Sequence, residues 1–313
     1  MRWSAPAQTL YAVINRARRA LYRRGLLQTE SLPRTVLSIG NRAIGGSGKT
    51  PLTIAIARGL LERGLRVVVL TRGYGRDSSR EPLIVDGEDP RRFGDEPVVI
   101  ARNAPGAAVV VGSKRAAAGR WFLETAGDCD VFLLDDGFQH LQLERDLDLV
   151  IENVGARWYR EGPEALRDAD VIFRRGGPAS EARERELEIV PTGWTRAGAP
   201  VGLELLRGAR VFAFAGLADN DQFFRTLERL GASVAGSIGF ADHHVYRPSD
   251  LERIRREAAA ASAEFTITTE KDAVKTTGLE TAVLRVAAKI EREQELLDLL
   301  VSKVRRPENF GRT

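Results

Sequence analysis

Residues 35–63 read TVLSIGNRAIGGSGKTPLTIAIARGLLER. An apolar run at 36–39 leads into a glycine-rich turn ending Gly48-Lys49-Thr50, and a helical pattern follows at 51–63. Strand, glycine loop and helix in that order decide the fold class. Glycines let successive backbone amides close around phosphate oxygens, and the helix N-terminus that follows adds partial positive charge at the same point. Lys49 is placed to reach the β- and γ-phosphates, and the Thr50 hydroxyl to bind magnesium. Pro51 suits the first helical turn, where its missing N–H costs nothing. The loop therefore assigns Ala43, Ile44, Gly45, Gly46, Ser47, Gly48, Lys49 and Thr50 to nucleotide phosphate binding. It departs from the usual eight-residue pattern at its first position, where Ala43 stands in place of glycine.

Around this unit, apolar runs at 67–70, 108–111, 131–134 and 147–151 alternate with a helical stretch at 113–125. Apolar runs separated by helices predict a mostly parallel sheet covered on both faces, an α/β domain of the P-loop NTPase type. Residues 176–204 break the rhythm with Gly, Pro and mixed charge, and carry weak strand candidates at 187–190 and 201–205. They read as a two-stranded connection. A second, smaller α/β alternation follows: strand 210–215, helix 221–230, strand near Val234, helix 249–261, strand 265–268 and a last helix 291–305. The expected organisation is an N-terminal helix at 1–30, a P-loop domain at 31–175, a linker at 176–206 and a C-terminal α/β domain at 207–313.

The chain has 313 residues, of which 43% are hydrophobic and 29% charged, with a formal net charge of +4. At about 150 residues per domain this length suggests two domains. The composition excludes the disordered, collagen-like and disulfide-framework classes. No apolar run reaches the roughly 18 residues of a membrane-spanning helix. The N-terminus lacks the ordered segments of a signal peptide, which predicts a cytoplasmic location. A lone cysteine, Cys129, forms no internal disulfide and makes a poor start for a zinc site. Only six of the 47 basic residues are lysines, and Lys49, Lys271 and Lys275 all fall in patterned segments. The small net excess, mixed with 43 acids, identifies no nucleic-acid partner.

Val131-Phe132-Leu133-Leu134-Asp135-Asp136 is an apolar strand ending in carboxylates. Beside a phosphate loop such a strand end holds the water shell of magnesium. Asp135 is the expected metal-side carboxylate, and Asp136 a second one or a turn cap. A hydroxyl acceptor needs a base, for which Asp95, His140, His243 and His244 are the candidates. Asp95 opens a helical run at 98–101 and reads equally as a helix cap. Adjacent rings at His243 and His244, on extended backbone, point to opposite faces, so at most one serves a given site. Residues 9–27 form an amphipathic helix, with Leu10, Val13, Ile14, Ala17 and Leu21 at helical spacing and Arg16, Arg19, Arg23 and Arg24 on its basic side. It fits either a membrane interface or a packed helix whose arginines are solvated.

Taken together, these blocks resemble the tetraacyldisaccharide 4'-kinase (lipid A 4'-kinase) family. The matching strings are Gly40-Asn41, residues 45–51, Arg72-Gly73-Tyr74-Gly75, Gly94-Asp95-Glu96-Pro97, Asp135-Asp136-Gly137-Phe138-Gln139-His140 and Arg145-Asp146. FAGLADNDQFF at 214–224, DHH at 242–244 and TEKDAVK at 269–275 continue the series. The resemblance implies transfer of the ATP γ-phosphate to the 4'-hydroxyl of a tetraacylated glucosamine disaccharide 1-phosphate, giving lipid IVA, with ATP and magnesium as cofactors. It also implies two α/β domains joined by a short two-stranded linker, with the site between them. Carried onto this chain, Lys49 serves catalysis together with Asp95 as base and His243 as its support. Thr50, Asp135, Glu96 and Asp136 fall on the metal side, and Gln139, His140 and Arg72 toward the substrate.

An acceptor with four acyl chains stays in the bilayer, so the basic helix at 9–27 is expected to dock on the cytoplasmic face of the inner membrane as a peripheral element. The lipid and that surface are the implied partners, with no nucleic acid and no obligate protein partner. Two stretches depart from the family pattern: residues 157–168, and Lys114 where an acidic residue is expected. A membrane-bound switch ATPase fits less well, because its loop usually has lysine where this chain has Ile44. A kinase of a small soluble acceptor is commonly one domain with a lid, and does not explain a second α/β unit.

Overall fold

The computed structural model describes residues 5–43, 45–77, 82–156 and 158–305. Ile44 and Arg157 lie outside the described residues, as does the side chain of Leu10. The first half of the chain supplies β1 (Thr35–Asn41), β2 (Val67–Thr71), β3 (Leu83–Ile84), β4 (Ala108–Val111), β5 (Val131–Asp135), β6 (Leu147–Asn153) and β7 (Val171–Arg175). They lie side by side in the order β7-β6-β1-β5-β2-β4-β3, parallel except for the antiparallel edge strand β3. Five helices accompany them: α1 (Ala5–Arg23), α2 (Lys49–Glu62), α3 (Pro90–Phe93), α4 (Asp95–Asn103) and α5 (Arg115–Thr125).

Alternation along β1 and β5 shows why these strands are apolar throughout. Leu37, Ile39, Val131 and Leu133 enter one core with Leu52, Ile56 and Leu60 of α2. Val36, Phe132 and Leu134 enter the opposite core with Ala116, Ala118 and Phe122 of α5. A strand buried on both faces has no use for polar alternation. Leu60 is fully buried, so Leu60→Ala is expected to lower unfolding stability by about 2–5 kcal/mol. Denaturant unfolding measures this, and an unchanged midpoint would contradict the packing described.

Beyond β7 the sheet continues through β8 (Glu184–Arg196), which runs parallel to β7 at 184–186 and then antiparallel to β13 (Ala282–Ile290). β13 pairs in turn with β12 (Phe265–Thr269), β12 with β10 (Arg210–Ala215), and β10 with β11 (Ser233–Gly239), all in parallel. β8 is therefore shared by both sets of strands. Helix α6 (Asn220–Arg229) packs Phe223 and Leu227 on one face of the second set, and α7 (Pro248–Ala260) packs Ile254 on the other.

The connection differs from its sequence expectation. Residues 187–190 do lie in β8, but 201–205 is no strand: Val201 ends the short β9 (Ala199–Val201), and Leu203–Leu206 is a 3-10 turn. β9 pairs only with the last residues of β8, at 194–196, and the strand along most of β8 is β13, whose distance in sequence no local pattern reveals. The final helix α9 (Glu293–Lys303) crosses back, placing Leu296, Leu297 and Leu300 in the core beneath α2.

Candidate active site

The phosphate loop joins β1 to α2 at the C-terminal edge of the first sheet, where parallel α/β sheets gather their ligands. Gly48 caps α2 at φ +91°, a left-handed conformation that suits glycine. The Lys49 ammonium lies 3.3 Å from Asn41 Oδ1, 3.3 Å from Ser47 Oγ and 3.6 Å from Asp136 Oδ1. Thr50 is buried in the first turn of the helix.

Carboxylates crowd the neighbouring strand end. Asp135 is buried and accepts hydrogen bonds from Thr53 Oγ1 and Thr71 Oγ1, each at 3.2 Å. Burial, then the charges of Glu96 and Asp136, push its carboxyl up to about 6. Asp136 sits at φ +53° and meets the Arg160 guanidinium at 3.0 Å. Burial opposes its charge, but Lys49 and Arg160 outweigh that and hold it below the usual carboxylate range. Gln139 donates to the Asn41 carbonyl at 2.9 Å, tying the 136–139 turn to the end of β1. Gly40 permits that closeness, because a Cβ there would stand 2.5 Å from Phe138 Cβ.

Asp95 begins α4, is 5% exposed and accepts from the Glu96 amide at 2.8 Å, yet its side-chain partners come from the other half of the chain. His243 Nδ1 stands 3.1 and 3.2 Å from its two oxygens, and Lys275 Nζ 3.3 Å from Oδ2. Burial opposes ionisation of Asp95, but His243 and Lys275 override it and hold the carboxyl well below the usual range. The same hydrogen bond raises His243. Glu96 pairs with Lys271. Lys275 is itself anchored 3.2 Å from the buried Asp272, which accepts from Tyr246 Oη, Thr269 Oγ1 and the Gly216 amide. His244 turns away to Asp250 Oδ2 at 3.0 Å and stacks on Phe240. The two histidines occupy a turn, with His243 at φ +56°, rather than the extended backbone expected.

On the outer side of the phosphate loop is a cleft of about 940 Å³, lined by Gly45, Gly46, Ser47 and Arg175 from the first half and Gln222 and Arg225 from α6. Arg175 reaches across it to donate to the Gly46 carbonyl at 2.7 Å.

A family described as tetraacyldisaccharide-1-P 4'-kinase matches residues 1–305. The chain belongs to that family. It is 40% identical to the tetraacyldisaccharide 4'-kinase of Pelobacter propionicus over 303 residues, covering 88% of this chain and 83% of that one. It is 38% identical to the enzyme of that name from Syntrophus aciditrophicus, covering 85% and 82%. The structure is similar to the "apo" form of LpxK from Aquifex aeolicus in complex with ATP, with TM-score 0.77 and 30% identity over 96% of this chain and 98% of that one.

Set against the blocks that resemble the tetraacyldisaccharide 4'-kinases, the structure gathers Lys49, Glu96, Asp135 and Asp136 into one charged cluster and places Asp95 against His243. Arg72 is exposed. His140 is buried, and burial followed by Arg115 and Arg145 lowers its imidazole to about 4. An imidazole lowered in the fold destabilises it as pH falls from the unfolded value of 6.5 to about 4. His140→Asn is expected to flatten that limb of the stability–pH curve, and an unaltered limb would contradict it. Arg160, Lys271, Lys275 and Arg175 have contacts at the site that sequence patterns did not single out as functional. For Lys271 and Lys275 the signals were the scarcity of lysine and their place in the TEKDAVK block at 269–275.

Among the described residues no group of three or more His, Cys, Asp or Glu stands ready to hold a metal ion. Magnesium keeps several waters and takes one or two carboxylates besides substrate phosphates, so it does not require such a group. The crowding that raises Asp135 is of the kind a cation relieves.

Proposed function

We propose that this chain transfers the γ-phosphate of ATP to the 4'-hydroxyl of tetraacyldisaccharide 1-phosphate, in the synthesis of lipid A. The observation that carries this reading is the meeting of Asp95 with His243, across the two halves, next to the Glu96, Asp135 and Lys49 cluster. The phosphate loop amides and Lys49 bind the β- and γ-phosphates, and the base and ribose take the cleft between the loop and α6. Thr50 and Asp135, with Asp136 and Glu96 on the side of its waters, would hold magnesium, which would supply neutralisation of charge on the transferring phosphate.

Asp95 receives the proton of the attacking hydroxyl. Its carboxyl is a weak base, yet the loose transition state of phosphoryl transfer asks more for orientation than for basicity. His243 and Lys275 fix both carboxylate oxygens and so supply that orientation. Gln139, His140 and Arg72 lie toward the acceptor. Incubation with ATP and the lipid in micelles is expected to place the second phosphate on the 4' oxygen. Phosphorylation of a nucleoside or soluble sugar with no lipid product would overturn the assignment.

The acceptor is met at the cytoplasmic face of the inner membrane, through α1. No helix among the described residues is long and apolar enough to cross a membrane. Support for docking comes from the orientation of α1: Val13 and Ile14 are 57% and 54% exposed, whereas Asn15 and Arg19 face inward. That is the reverse of a helix packed by its apolar stripe. Val13→Asp with Ile14→Asp is expected to weaken binding to anionic liposomes at least tenfold, by loss of apolar insertion. Sedimentation with vesicles measures it, and unchanged binding would contradict docking through this face.

A further inference from the structure

Helix α1 is fastened to the rest of the chain by polar groups. Arg19, 5% exposed, donates through Nη2 to the Phe138 carbonyl at 3.2 Å and to Glu161 Oε2 at 2.8 Å. Its Nη1 donates to Asp168 Oδ2 at 2.9 Å, and the guanidinium lies 4.3 Å from the centre of the Phe138 ring. Arg18 donates to the Gln139 carbonyl and Asn15 to the Arg160 carbonyl, each at 3.1 Å. Every one of these contacts lands on 138–139 or 160–168, the segments that flank Asp136 and carry its partner Arg160. Asp136 holds a left-handed backbone conformation. Such a conformation persists in a residue with a β-carbon only where the surroundings over-determine it.

We infer that Arg19 is a positioning residue for phosphoryl transfer, clamping the 136–139 turn to the 160–168 segment under α1. The inference rests on reading Asp136 as a metal-side carboxylate. Seating of the helix and placement of Asp136 become one event, so loosening α1 slackens the metal side as well as the grip on lipid. Asp168 and Glu161 hold the guanidinium from one side while the Phe138 carbonyl and ring hold it from the other. A lysine could not span that arrangement, since it lacks the planar fork.

The test compares Arg19→Gln, Asn15→Ala and Asp136→Asn, with Arg120→Gln in an exposed ion pair elsewhere as control. Rates are measured in detergent micelles at saturating lipid, so recruitment to a bilayer does not enter. Arg19→Gln is expected to lower kcat about tenfold and to raise the magnesium concentration for half-maximal rate severalfold, leaving KM for ATP at saturating magnesium within about twofold. Asn15→Ala shifts both quantities the same way by less, and leaves no buried carboxylate unpaired should Arg19→Gln fail to fold. The control matches the unmodified protein.

Unchanged kcat and magnesium response in folded Arg19→Gln, alongside an impaired Asp136→Asn, would overturn the clamp. A loss confined to KM for the lipid would overturn it too, reducing Arg19 to an acceptor contact. An Asp136→Asn variant indifferent to magnesium would instead overturn the metal-side reading on which the clamp rests.

Discussion

Asp95→Asn is expected to lower kcat by about 10²–10⁴-fold, the range for loss of a positioned acid–base group, while ATP still binds. The substitution is nearly isosteric and removes only the charge, so α4 keeps its start and Glu96 its pair with Lys271. What disappears is the acceptor for the hydroxyl proton and the counter-charge shared by His243 and Lys275. His243→Asn is expected to fall in the same direction but less far, because Lys275 still holds one carboxylate oxygen. Steady-state kinetics with ATP and lipid varied separately distinguish the outcomes. Turnover of Asp95→Asn within a factor of about three of the unmodified protein would remove it as the base.

Lys49→Ala carries the second largest expected effect, a kcat loss of about 10²–10³-fold, on the scale of removing one preorganised donor from developing negative charge. Lys49 also stands among Asp135, Asp136 and Glu96, lowering Asp136 and Glu96 and restraining the rise of Asp135. Its loss leaves three carboxylates with less compensating charge, so KM for ATP is expected to rise as well. Normal turnover at normal ATP affinity would sink the phosphate-loop assignment.

The first sheet was legible because its strands are buried on both faces, and unbroken apolar runs such as 131–134 have few competing readings. β7 was harder: Val171 and Phe173 enter one core and Ile172 the opposite one, but the apolar run is only these three residues before the half-buried Arg174 and Arg175. β13 escaped for a similar reason. Its AVLRVAAKI is interrupted by the exposed Arg285 and Lys289 and buries only Ala282, Leu284 and Ile290, and its antiparallel pairing is set by tertiary contact with β8.

At the site, the phosphate loop and the Asp135 strand end are local patterns and could be read as such. Asp95 could not be separated from a helix cap on local grounds, since it does begin α4. Its chemistry is set by His243 and Lys275, which arrive from the far half of the chain. Arg19 is hidden in a helix whose other arginines are mostly solvent-facing, and periodicity gives its inward direction to the apolar stripe instead. Apolar residues faced outward here because polar carbonyls and carboxylates, not a hydrophobic core, lie beneath the helix.

The most direct measurement is transfer of labelled γ-phosphate from ATP to tetraacyldisaccharide 1-phosphate in micelles, with and without magnesium. Label appearing in the lipid, only when magnesium is present and lost in Asp95→Asn, is the predicted result. Steady ATP hydrolysis with no label in the lipid would contradict it, and would make the site between the two halves that of an ATPase rather than a lipid kinase.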